Sequence, residues 1–532
     1  MAPDEATARS ESEDREDGET PRAPGRLVVA SNRQPYRHEY GEDGGIEVDA
    51  PTGGLTAGLD PVVSSSGGTW IAWGDGEADR EVADDEGRVA VPPGEESYTL
   101  QRVWLPEAAV EGYYYGFSNR VLWPICHEFV DLIDHRPEDR DWYRHVNREF
   151  ADAIVDHADE ESVVWLQDYH LGLAPAMVSE AVPPETTVAQ FWHIPWPRAG
   201  AFRAVPDGRE LLEGLLGNDL LGFHVESYVA TFLDCVEEFV PGASVDRETA
   251  IVGHGDGETR VVATPMGVDA ESYDERSRAV DRSQWERLKE RYDLPTEATV
   301  AVGVDRLDYT KGIPERLAAI EELLAEYPRW RGEFTFVQKG TPSRTDIPAY
   351  RDLGERVRSE VARINDRFGT DDWRPIVYTE EFFSQEELCA LYRYADAMIV
   401  SPLLDGMNLV SQEYVAASVD GGALVLSERA GATEVLGEDV YTIDPAATDS
   451  FAATIDEALS APEAERTARM DRLREHVFDH DLEWWMDRQF DEIARCRNDG
   501  ADRDGGRPGP GSETDSAAEP GPFSDSPLSD PE

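Results

Sequence analysis

The hydrophobic pattern of the chain alternates between two kinds of segment. Short apolar runs are typical of buried strands, and longer stretches repeat their apolar residues at helical spacing. In the first half, strands are predicted at 27–30, 162–166, 188–192 and 220–223, and a helix at 226–239. Such alternation predicts a doubly wound α/β domain with a mainly parallel sheet.

The same alternation restarts in the second half. A Gly- and Asp-rich stretch at 246–258 predicts a loop or hairpin, and segment 265–269 predicts a hinge. Beyond it, the predicted strands are 298–304, 334–338, 376–378, 397–400 and 423–426, and the predicted helices are 313–327, 350–368, 385–394 and 409–418. Ser384 and Glu387 have the spacing of a capping box. Two such halves imply two Rossmann-like, doubly wound domains that face each other across a cleft.

Five segments follow from this pattern. We place the first domain at 25–262, the second at 263–475 and a helix that closes the fold at 476–497. The ends, 1–24 and 498–532, are charged and rich in Pro, Ser and Gly, a composition typical of disordered tails.

Charge excludes some classes of partner. The chain has 110 acidic and 49 basic residues, a formal net charge of -61, and the two ends carry little of it. Such a surface argues against nucleic acid or anionic membrane as a partner. Acidic excess with only three lysines (Lys289, Lys311 and Lys339) is typical of a halophilic protein, whose self-repulsion concentrated salt would screen.

The cysteines and the N-terminus suggest a cellular location. Four cysteines are scattered without metal-binding spacing, so neither a disulfide framework nor a zinc site is indicated. No apolar stretch resembles a signal peptide or a membrane span. We therefore expect a soluble, cytoplasmic protein.

The segment 303–312 has the features of a phosphate site. It joins a predicted strand to a predicted helix, which places backbone amides and a helix N-terminus where anions bind. Arg306 and Lys311 add two positive charges. In a chain with three lysines, a lysine in this loop indicates a specific need for its ammonium group.

Polar residues also follow the predicted strands of the first domain. Arg33, Asp168 and His193 come directly after three of them, and open α/β sheets bind ligands at that rim. Gly53 and Gly54 lie in a predicted loop where backbone amides could approach a ligand. Tyr114 and Trp123 belong to aromatic-rich runs, which suit either the core or a sugar ring.

The second domain has a comparable rim. Arg344 follows one predicted strand, and Asp405 and Gly406 follow another, just before a predicted helix start at residues 407–409. Free amides there could face an anion. Glu413, one turn further on, could accept hydrogen bonds from a ribose, although a solvated helix residue is the alternative.

Taken together, these motifs resemble a known family. The motifs occur in the order found in trehalose-6-phosphate synthases. They are Ser31-Asn32-Arg33, Gly53-Gly54-Leu55, Tyr114 with Asn119, Trp123-Pro124, Asp168-Tyr169-His170, His193-Ile194-Pro195, the run 306–312, Pro342-Ser343-Arg344 and the run 405–410. The resemblance spans about residues 26–497. It implies a GT-B fold and retaining transfer of glucose from a nucleotide diphosphate glucose, usually UDP-glucose, to glucose 6-phosphate.

The resemblance also implies roles for residues. Arg306 and Lys311 would neutralise the donor diphosphate, Glu413 would hold the donor ribose, and Gly53 and Gly54 would cap the diphosphate. The glucosyl group and phosphate would be held by Asp405, Gly406, Met407, Asn408, Leu409 and Val410. Arg33, Tyr114 and Arg344 would bind the acceptor phosphate.

The remaining implied roles concern the reacting sugars. Asp168, with Trp123, would position the acceptor sugar, and His193 would lie against the donor glucose. The implied reaction proceeds on one face of the sugar and calls for no metal ion or resident cofactor. Leu404 stands where relatives often carry a basic residue, which leaves the donor base open. We found no phosphatase motif, so a separate phosphatase is expected downstream.

Two other functions stay open at this point. A related glucosyltransferase could use another acceptor, such as glycerol 3-phosphate, and a catalytically silent sensor could bind sugar phosphates without turnover. The sensor reading predicts loss of the charged groups, yet Arg33, Arg306, Lys311 and Arg344 are all present. The sequence leaves the oligomeric state open, a homo-oligomer included.

Overall fold

The computed structural model describes residues 23–50 and 54–504. In the first half the strands are β1 (Arg26–Ser31), β2 (Arg37–Tyr40), β3 (Ile46–Asp49), β4 (Thr69–Trp73), β5 (Arg88–Val91), β6 (Tyr98–Val103), β7 (Ser162–Gln167), β8 (Thr187–Phe191), β9 (Leu220–Phe223), β10 (Ser244–Asp246), β11 (Ile251–His254) and β12 (Gly257–Ala263). In the second half they are β13 (Thr299–Arg306), β14 (Phe334–Thr341), β15 (Ile376–Thr379), β16 (Ala397–Val400), β17 (Ala423–Ser427) and β18 (Tyr441–Ile443).

Helices connect these strands. Those of the first half are Gly54–Ser66, Asp79–Val82, Glu107–Ala109, Trp123–Cys126, Pro137–Val155, Ala174–Ser179, Ala199–Phe202, Gly208–Leu215 and Glu226–Phe239, with a π-helix at Val110–Leu122. Those that follow are Ala270–Ala279, Arg282–Tyr292, Ile313–Glu326, Pro348–Phe368, Gln385–Tyr394, Leu409–Ala417, Gly431–Leu436, Thr448–Ser460, Glu463–Asp479 and Leu482–Asp504. Short 3-10 turns lie at Val130–Leu132, Tyr169–Leu171, Tyr309–Lys311, Pro328–Trp330 and Gly437–Asp439.

The first sheet has ten strands in the order β10-β11-β12-β9-β8-β7-β1-β4-β6-β5. Its centre is parallel, and only β5 and the β10–β12 hairpins at the edges run antiparallel. From β1 the chain moves outward to β4 and β6, and from β7 it moves the other way to β8 and β9. The order therefore reverses between β1 and β7, and ligands of open α/β sheets bind outside the carboxyl ends of strands at such a point.

The second sheet has six parallel strands in the order β15-β14-β13-β16-β17-β18. Its order reverses between β13 and β16, which pair through Ala301 and Val302. The two switch points are thus β1/β7 in one sheet and β13/β16 in the other. The predicted pair of doubly wound α/β sheets is confirmed.

The last helix returns to the first sheet. Trp485, Phe490 and Ile493 are buried against that sheet in one cluster with Leu27 and Trp165. We predicted this closing helix at 476–497, whereas the structure has a break at His480-Asp481 and a helix at Leu482–Asp504. The break has a local cause, because the Asp481 carboxylate accepts from the Trp484 amide at 2.9 Å and starts a new helix. The helix also covers 498–504, which we predicted to be disordered, and it continues through Gly500.

Other local predictions had mixed outcomes. Helices Glu226–Phe239 and Gln385–Tyr394 are confirmed, as is the capping box of Ser384 and Glu387. The region at 246–258 forms β10 to β12 hairpins. The predicted loop over Gly54 is wrong, since helix Gly54–Ser66 begins there, and Gly53 lies outside the described residues. Across the described ranges, no helix is long and apolar enough to cross a bilayer.

Candidate functional site

A cavity of about 380 Å³ lies between the two halves, at the switch points of both sheets. The first half lines it with Ser31, Asn32, Arg33, Thr56, Tyr114, Trp123, His127, Gln167, Asp168, Tyr169, His170, His193, Ile194 and His224. Met266 and the second half contribute Arg306, Lys311, Arg344, Asp405, Met407, Asn408, Leu409 and Val410. Thirteen of the predicted site residues therefore share one cavity, and they come from both halves.

Asp168 lies directly after β7 in an unusual backbone conformation. Its φ of 70° is in the left-handed region, which Asp and Asn tolerate better than most residues. The carboxylate accepts from the His193 amide at 3.3 Å, so it is tied to the end of β8. Burial raises its pKa to about 6, although the amides of Tyr169 and His193 and the charges of Arg344 and Arg33 oppose the shift. Asp168 is thus a carboxylate at neutral pH.

His193, at the end of β8, contacts the other half of the molecule. Its Nε2 lies 3.0 Å from Oε1 of Gln167. Burial, with His224 beside it, holds the pKa of His193 well below its usual value, so the ring is neutral. An added Cβ on Gly406 would lie 2.3 Å from the His193 carbonyl oxygen. Only glycine permits this approach, which brings the loop after β16 against the end of β8.

The second half places a pair of opposite charges at its switch point. Lys311, after β13, donates from Nζ to Oδ2 of Asp405 at 2.6 Å, and Asn408 donates to the same oxygen at 3.0 Å. Burial would raise the pKa of Asp405, but the Lys311 charge and these hydrogen bonds hold it below its usual value. Asn408, with φ at 83°, also caps helix Leu409–Ala417 by accepting from the Ser411 amide. The loop after β16 is fixed at the start of a helix.

Two arginines of the second half face the aromatic wall of the first. The Arg344 guanidinium carbon lies 4.1 Å from the ring centre of Trp123, and that of Arg306 lies 5.6 Å from it. Arg344 donates to the hydroxyls of Tyr350 at 2.7 Å and Tyr169 at 3.3 Å. These contacts concentrate positive charge over an indole face.

Tyr114 lies among the same cations. Burial would raise the pKa of its hydroxyl, yet the guanidinium groups of Arg344 and Arg33 offset this and hold it below its usual value. Its ring stacks on His170 at 5.8 Å. Arg33, Tyr114 and Arg344 therefore form one cationic corner of the cavity.

A few predicted site residues lie off the cavity wall. The Glu413 carboxylate accepts a hydrogen bond from the Tyr392 hydroxyl at 3.4 Å. Burial raises the pKa of Glu413 to about 6. Gly406 lies behind the wall against His193. Gly54 starts its helix next to the cavity residue Thr56.

Four further residues acquire importance only in the structure. His127 lines the cavity, and since its Nδ1 lies 2.7 Å from the Trp123 carbonyl oxygen, Nδ1 carries the proton. Burial lowers its pKa to about 4. Asp308 is fully buried and lies 3.6 Å from Arg344. Tyr169 and His170, quoted in a motif but given no role, both line the cavity. Their sequence positions beside Asp168 were the available signal for the last two.

Two parallel α/β sheets that bring their switch points to one cavity, with cations on both sides, define a glycosyltransferase with two Rossmann-like domains. The family described as Glycosyltransferase family 20 matches residues 25–495. The chain belongs to this family.

Curated relatives match nearly the whole chain. A trehalose-6-phosphate synthase of Mycobacterium marinum is 38% identical over 487 residues, which cover 90% of this chain and 95% of that protein. A bifunctional trehalose-6-phosphate synthase/phosphatase of Thermoproteus tenax is 39% identical over 476 residues. That match covers 86% of this chain but 62% of the longer bifunctional protein.

Solved structures of similar fold also match nearly the whole chain. A trehalose-6-phosphate structure from E. coli bound with UDP-2-fluoro glucose has a TM-score of 0.79 at 31% identity, covering 88% of this chain and 98% of that one. An α,α-trehalose-phosphate synthase (UDP-forming) from Burkholderia xenovorans, in complex with glucose-6-phosphate, has a TM-score of 0.78 at 31% identity. That match covers 88% of this chain and 100% of the other.

Proposed function

We propose that this protein transfers glucose from UDP-glucose to glucose 6-phosphate, with retention at the anomeric carbon, and releases trehalose 6-phosphate and UDP. One observation carries the proposal: Arg306 and Lys311 of the second half meet Arg33 and Asp168 of the first half in a single cavity. Two phosphorylated substrates need cations on both sides of such a cleft. The relatives' names and the ligands of the two solved structures supply the substrate identities.

The donor would bind at the switch point of the second sheet. Lys311 and Arg306 would neutralise its diphosphate, and Asp405 with the backbone amides of 406–409 would hold the glucosyl hydroxyls. Asp405 suits this role because it is ionised and fixed by Lys311. Met407, Asn408, Leu409 and Val410 line the same stretch of wall.

Two further donor contacts belong to the same proposal. Glu413 would hold the donor ribose from helix Leu409–Ala417, one turn beyond the wall residues, where Tyr392 orients its carboxyl group. Gly54, at a helix N-terminus, would present free amides to the diphosphate from the other half. The sequence motif assigns Gly53 to the same group of donor contacts.

The acceptor would bind at the switch point of the first sheet. Arg33, Tyr114 and Arg344 would hold its phosphate, since both guanidinium groups act on the Tyr114 hydroxyl. Asp168 would accept hydrogen bonds from the acceptor's hydroxyls, and Trp123 would pack against its ring. His193 would lie between the sugars and against the donor glucose.

The reaction would take place on one face of the donor sugar. The anomeric hydroxyl oxygen of glucose 6-phosphate forms a bond to C1 of the donor glucose as the bond from C1 to the UDP oxygen breaks. The hydroxyl proton passes to the leaving phosphate oxygen, so that the products are trehalose 6-phosphate and UDP. This path depends on positioning and on stabilising the phosphate charge, which Arg306 and Lys311 would supply.

The organisation of the chain and its products belongs to the same proposal. We assign the acceptor domain to 25–262, the donor domain to 263–475 and the closing segment to the helix that returns to the first sheet. The product still carries a phosphate, so a separate phosphatase would consume it.

A substrate matrix tests the function. UDP-, ADP- and GDP-glucose would each be supplied with glucose 6-phosphate or glycerol 3-phosphate, and the product would be identified by NMR. We expect an α,α-linked disaccharide phosphate from UDP-glucose and glucose 6-phosphate. Turnover with glycerol 3-phosphate alone, or binding of both substrates without turnover, would replace the proposal with one of the two alternatives.

A further inference from the structure

The loop that carries Arg33 is anchored by a buried ion pair outside the cavity. Arg102 of β6 and Asp79 of helix Asp79–Val82 have side chains that are 0% exposed, and Arg102 Nη2 lies 2.9 Å from Asp79 Oδ1. Neither residue lines the cavity. Their common neighbour is Gln34, the residue after Arg33.

Arg102 binds three positions of this loop. Its Nε donates to Gln34 Oε1 at 2.9 Å, and Nη2 donates to the Tyr36 carbonyl oxygen at 3.2 Å. The same nitrogen lies 2.8 Å from His38 Nδ1, which must accept because a guanidinium group only donates. One side chain thus fixes the segment from residue 34 to residue 38, which includes the start of β2.

Asp79 completes the anchor from the other side. Its carboxylate accepts from Gln34 Nε2 at 2.6 Å, from the His38 amide at 2.9 Å and from the Gly76 amide at 2.8 Å. Gln34 Nε2 also donates to Asp75 at 2.8 Å. Both ends of the Gln34 amide are therefore occupied, and its side chain has one defined orientation.

The preceding residues are held as well. Ser31 donates from Oγ to the Arg33 carbonyl oxygen at 2.6 Å and accepts from Trp70 Nε1 at 2.8 Å. Asn32 accepts from the Tyr113 hydroxyl at 3.0 Å. Within the described ranges the Arg33 side chain itself has no ion pair, and it is exposed towards the cavity. A rigid backbone thus carries a free guanidinium group.

Stability alone is a weak explanation for this cluster. Taking both charges of an ion pair out of water costs several kcal/mol, and apolar residues of similar volume are often as stabilising. A fully hydrogen-bonded pair does, however, define one backbone geometry where an apolar core would tolerate several. The consequence specific to this cluster is the direction in which Arg33 leaves the loop.

We propose that Gln34, Asp79 and Arg102 are positioning residues that aim Arg33 at the phosphate of the acceptor and so set the affinity for that substrate. This inference rests on the proposed function. It separates acceptor binding from donor binding, because the hydrogen bonds of the cluster described above all lie within the first half of the molecule.

Gln34→Met is the most informative single variant. It removes three hydrogen bonds at nearly constant volume and leaves Asp79 paired with Arg102, so the buried charges stay compensated. We expect the KM for glucose 6-phosphate to rise about tenfold, while the KM for UDP-glucose changes less than about twofold. The matched control is Gln101→Met on the same strand as Arg102, whose amide bonds the Glu86 carbonyl oxygen; it should leave both constants unchanged.

A double-mutant cycle tests whether Gln34 acts through Arg33. If it does, Gln34→Met should raise the KM for glucose 6-phosphate in the wild type but by less than about twofold in an Arg33→Ala background. Multiplicative effects of the two substitutions, or equal rises in both KM values, would overturn the proposal. A lower melting temperature with unchanged kinetics would show a structural role only and would also overturn it.

Hydrogen exchange separates this inference from the proposed function. We expect amides 31–40 to exchange faster in Gln34→Met than in the wild type, with peptides of the second half unchanged. A wild type that fails to use glucose 6-phosphate would contradict the proposed function. Even in that case, equal exchange rates of amides 31–40 in Gln34→Met and the wild type would contradict the claim that Gln34 anchors this segment. An active wild type with an unchanged KM in Gln34→Met would contradict only the positioning role.

Discussion

The Lys311 ammonium donates to the Asp405 carboxylate at 2.6 Å and joins the loops that follow two adjacent strands, β13 and β16. Both side chains are mostly buried, at 14% and 13% exposed. The pair therefore holds a cation and an anion in fixed places at the switch point before any substrate arrives. Preorganised charge of this kind stabilises a transition state without a reorganisation cost.

Lys311→Ala should nearly abolish glucosyl transfer and leave the fold intact. In the proposed mechanism the variant loses the cation at the leaving phosphate, and removing one such contact costs about 3 kcal/mol in barrier, or about 100-fold in rate. Arg306→Ala should have a similar effect, although Asp405 then keeps its partner. Release of UDP under saturating substrates measures the loss, and circular dichroism checks the fold.

The control for both variants is Arg282→Ala. Arg282 is 74% exposed, pairs only loosely with Glu286 at 3.6 Å and lies on a helix outside the cavity, so transfer should be unchanged. Full activity in Lys311→Ala or Arg306→Ala would contradict the roles we assign to these cations.

Activity should depend on two carboxyl groups with pKa values near 6. Burial raises the pKa of both Asp168 and Glu413 to about 6, so each group becomes protonated below that pH. A protonated Asp168 accepts fewer hydrogen bonds from the acceptor, and kcat/KM for glucose 6-phosphate should fall below pH 6. Steady-state profiles between pH 5 and 8 measure this for each substrate.

Two variants separate these carboxyl groups. Asp168→Asn, which tolerates the left-handed backbone, should remove the inflection from the acceptor profile, and Glu413→Gln should remove it from the donor profile. The folded Asp168 carboxyl binds its proton more tightly than the unfolded one. The free energy of unfolding should therefore fall as the pH rises from about 4 to 6, and less so in Asp168→Asn. Unchanged profiles in both variants would contradict these assignments.

Gly406→Ala should separate the two halves at the cavity. A Cβ at this position would lie 2.3 Å from the His193 carbonyl oxygen, so backbone must move. We expect at least a tenfold loss of kcat/KM for both substrates, since donor and acceptor residues would no longer meet. Small-angle scattering with substrates bound should show a larger radius of gyration than in the wild type.

Gly354→Ala is the matched control for this variant. Gly354 lies in helix Pro348–Phe368, and its added Cβ would approach Arg358 side-chain atoms no closer than 3.5 Å. Alanine favours a helix by about 1 kcal/mol over glycine, so this variant should be slightly more stable and fully active. If Gly406→Ala were also stable and fully active, the close approach of Gly406 to the His193 carbonyl oxygen would not be needed for activity.

The sequence pattern was sufficient for most of the fold because its strands are fully buried and therefore almost entirely apolar. β8, for example, is buried along its whole length, so its apolar sequence predicts a strand without knowledge of the strands beside it. Residues at the carboxyl ends of such strands, among them Arg33, Asp168 and His193, could be assigned to one rim from topology alone. The switch points explain why that assignment was correct.

Local patterns were insufficient where tertiary contacts decide the structure. The π-helix Val110–Leu122 has no simple apolar period, and its course depends on packing against helix Pro137–Val155. The buried cluster of Asp79 and Arg102 joins residues far apart in the chain. His127 likewise gains its place on the cavity wall from the fold, because its sequence neighbours carry no signal for it.

The protein should lose stability at low ionic strength. Its net charge of -61 leaves many carboxylates without a cationic partner, and their repulsion acts over about 10 Å at 0.1 M salt but about 3 Å at 1 M. Melting curves between 0.1 and 3 M NaCl should therefore show a melting temperature that rises steeply below 1 M and then levels off. A sucrose series of equal water activity is the control, because it strengthens apolar burial without screening charge. A melting temperature that is independent of NaCl, or that rises equally in sucrose, would contradict the view that screening of surface charge stabilises this chain.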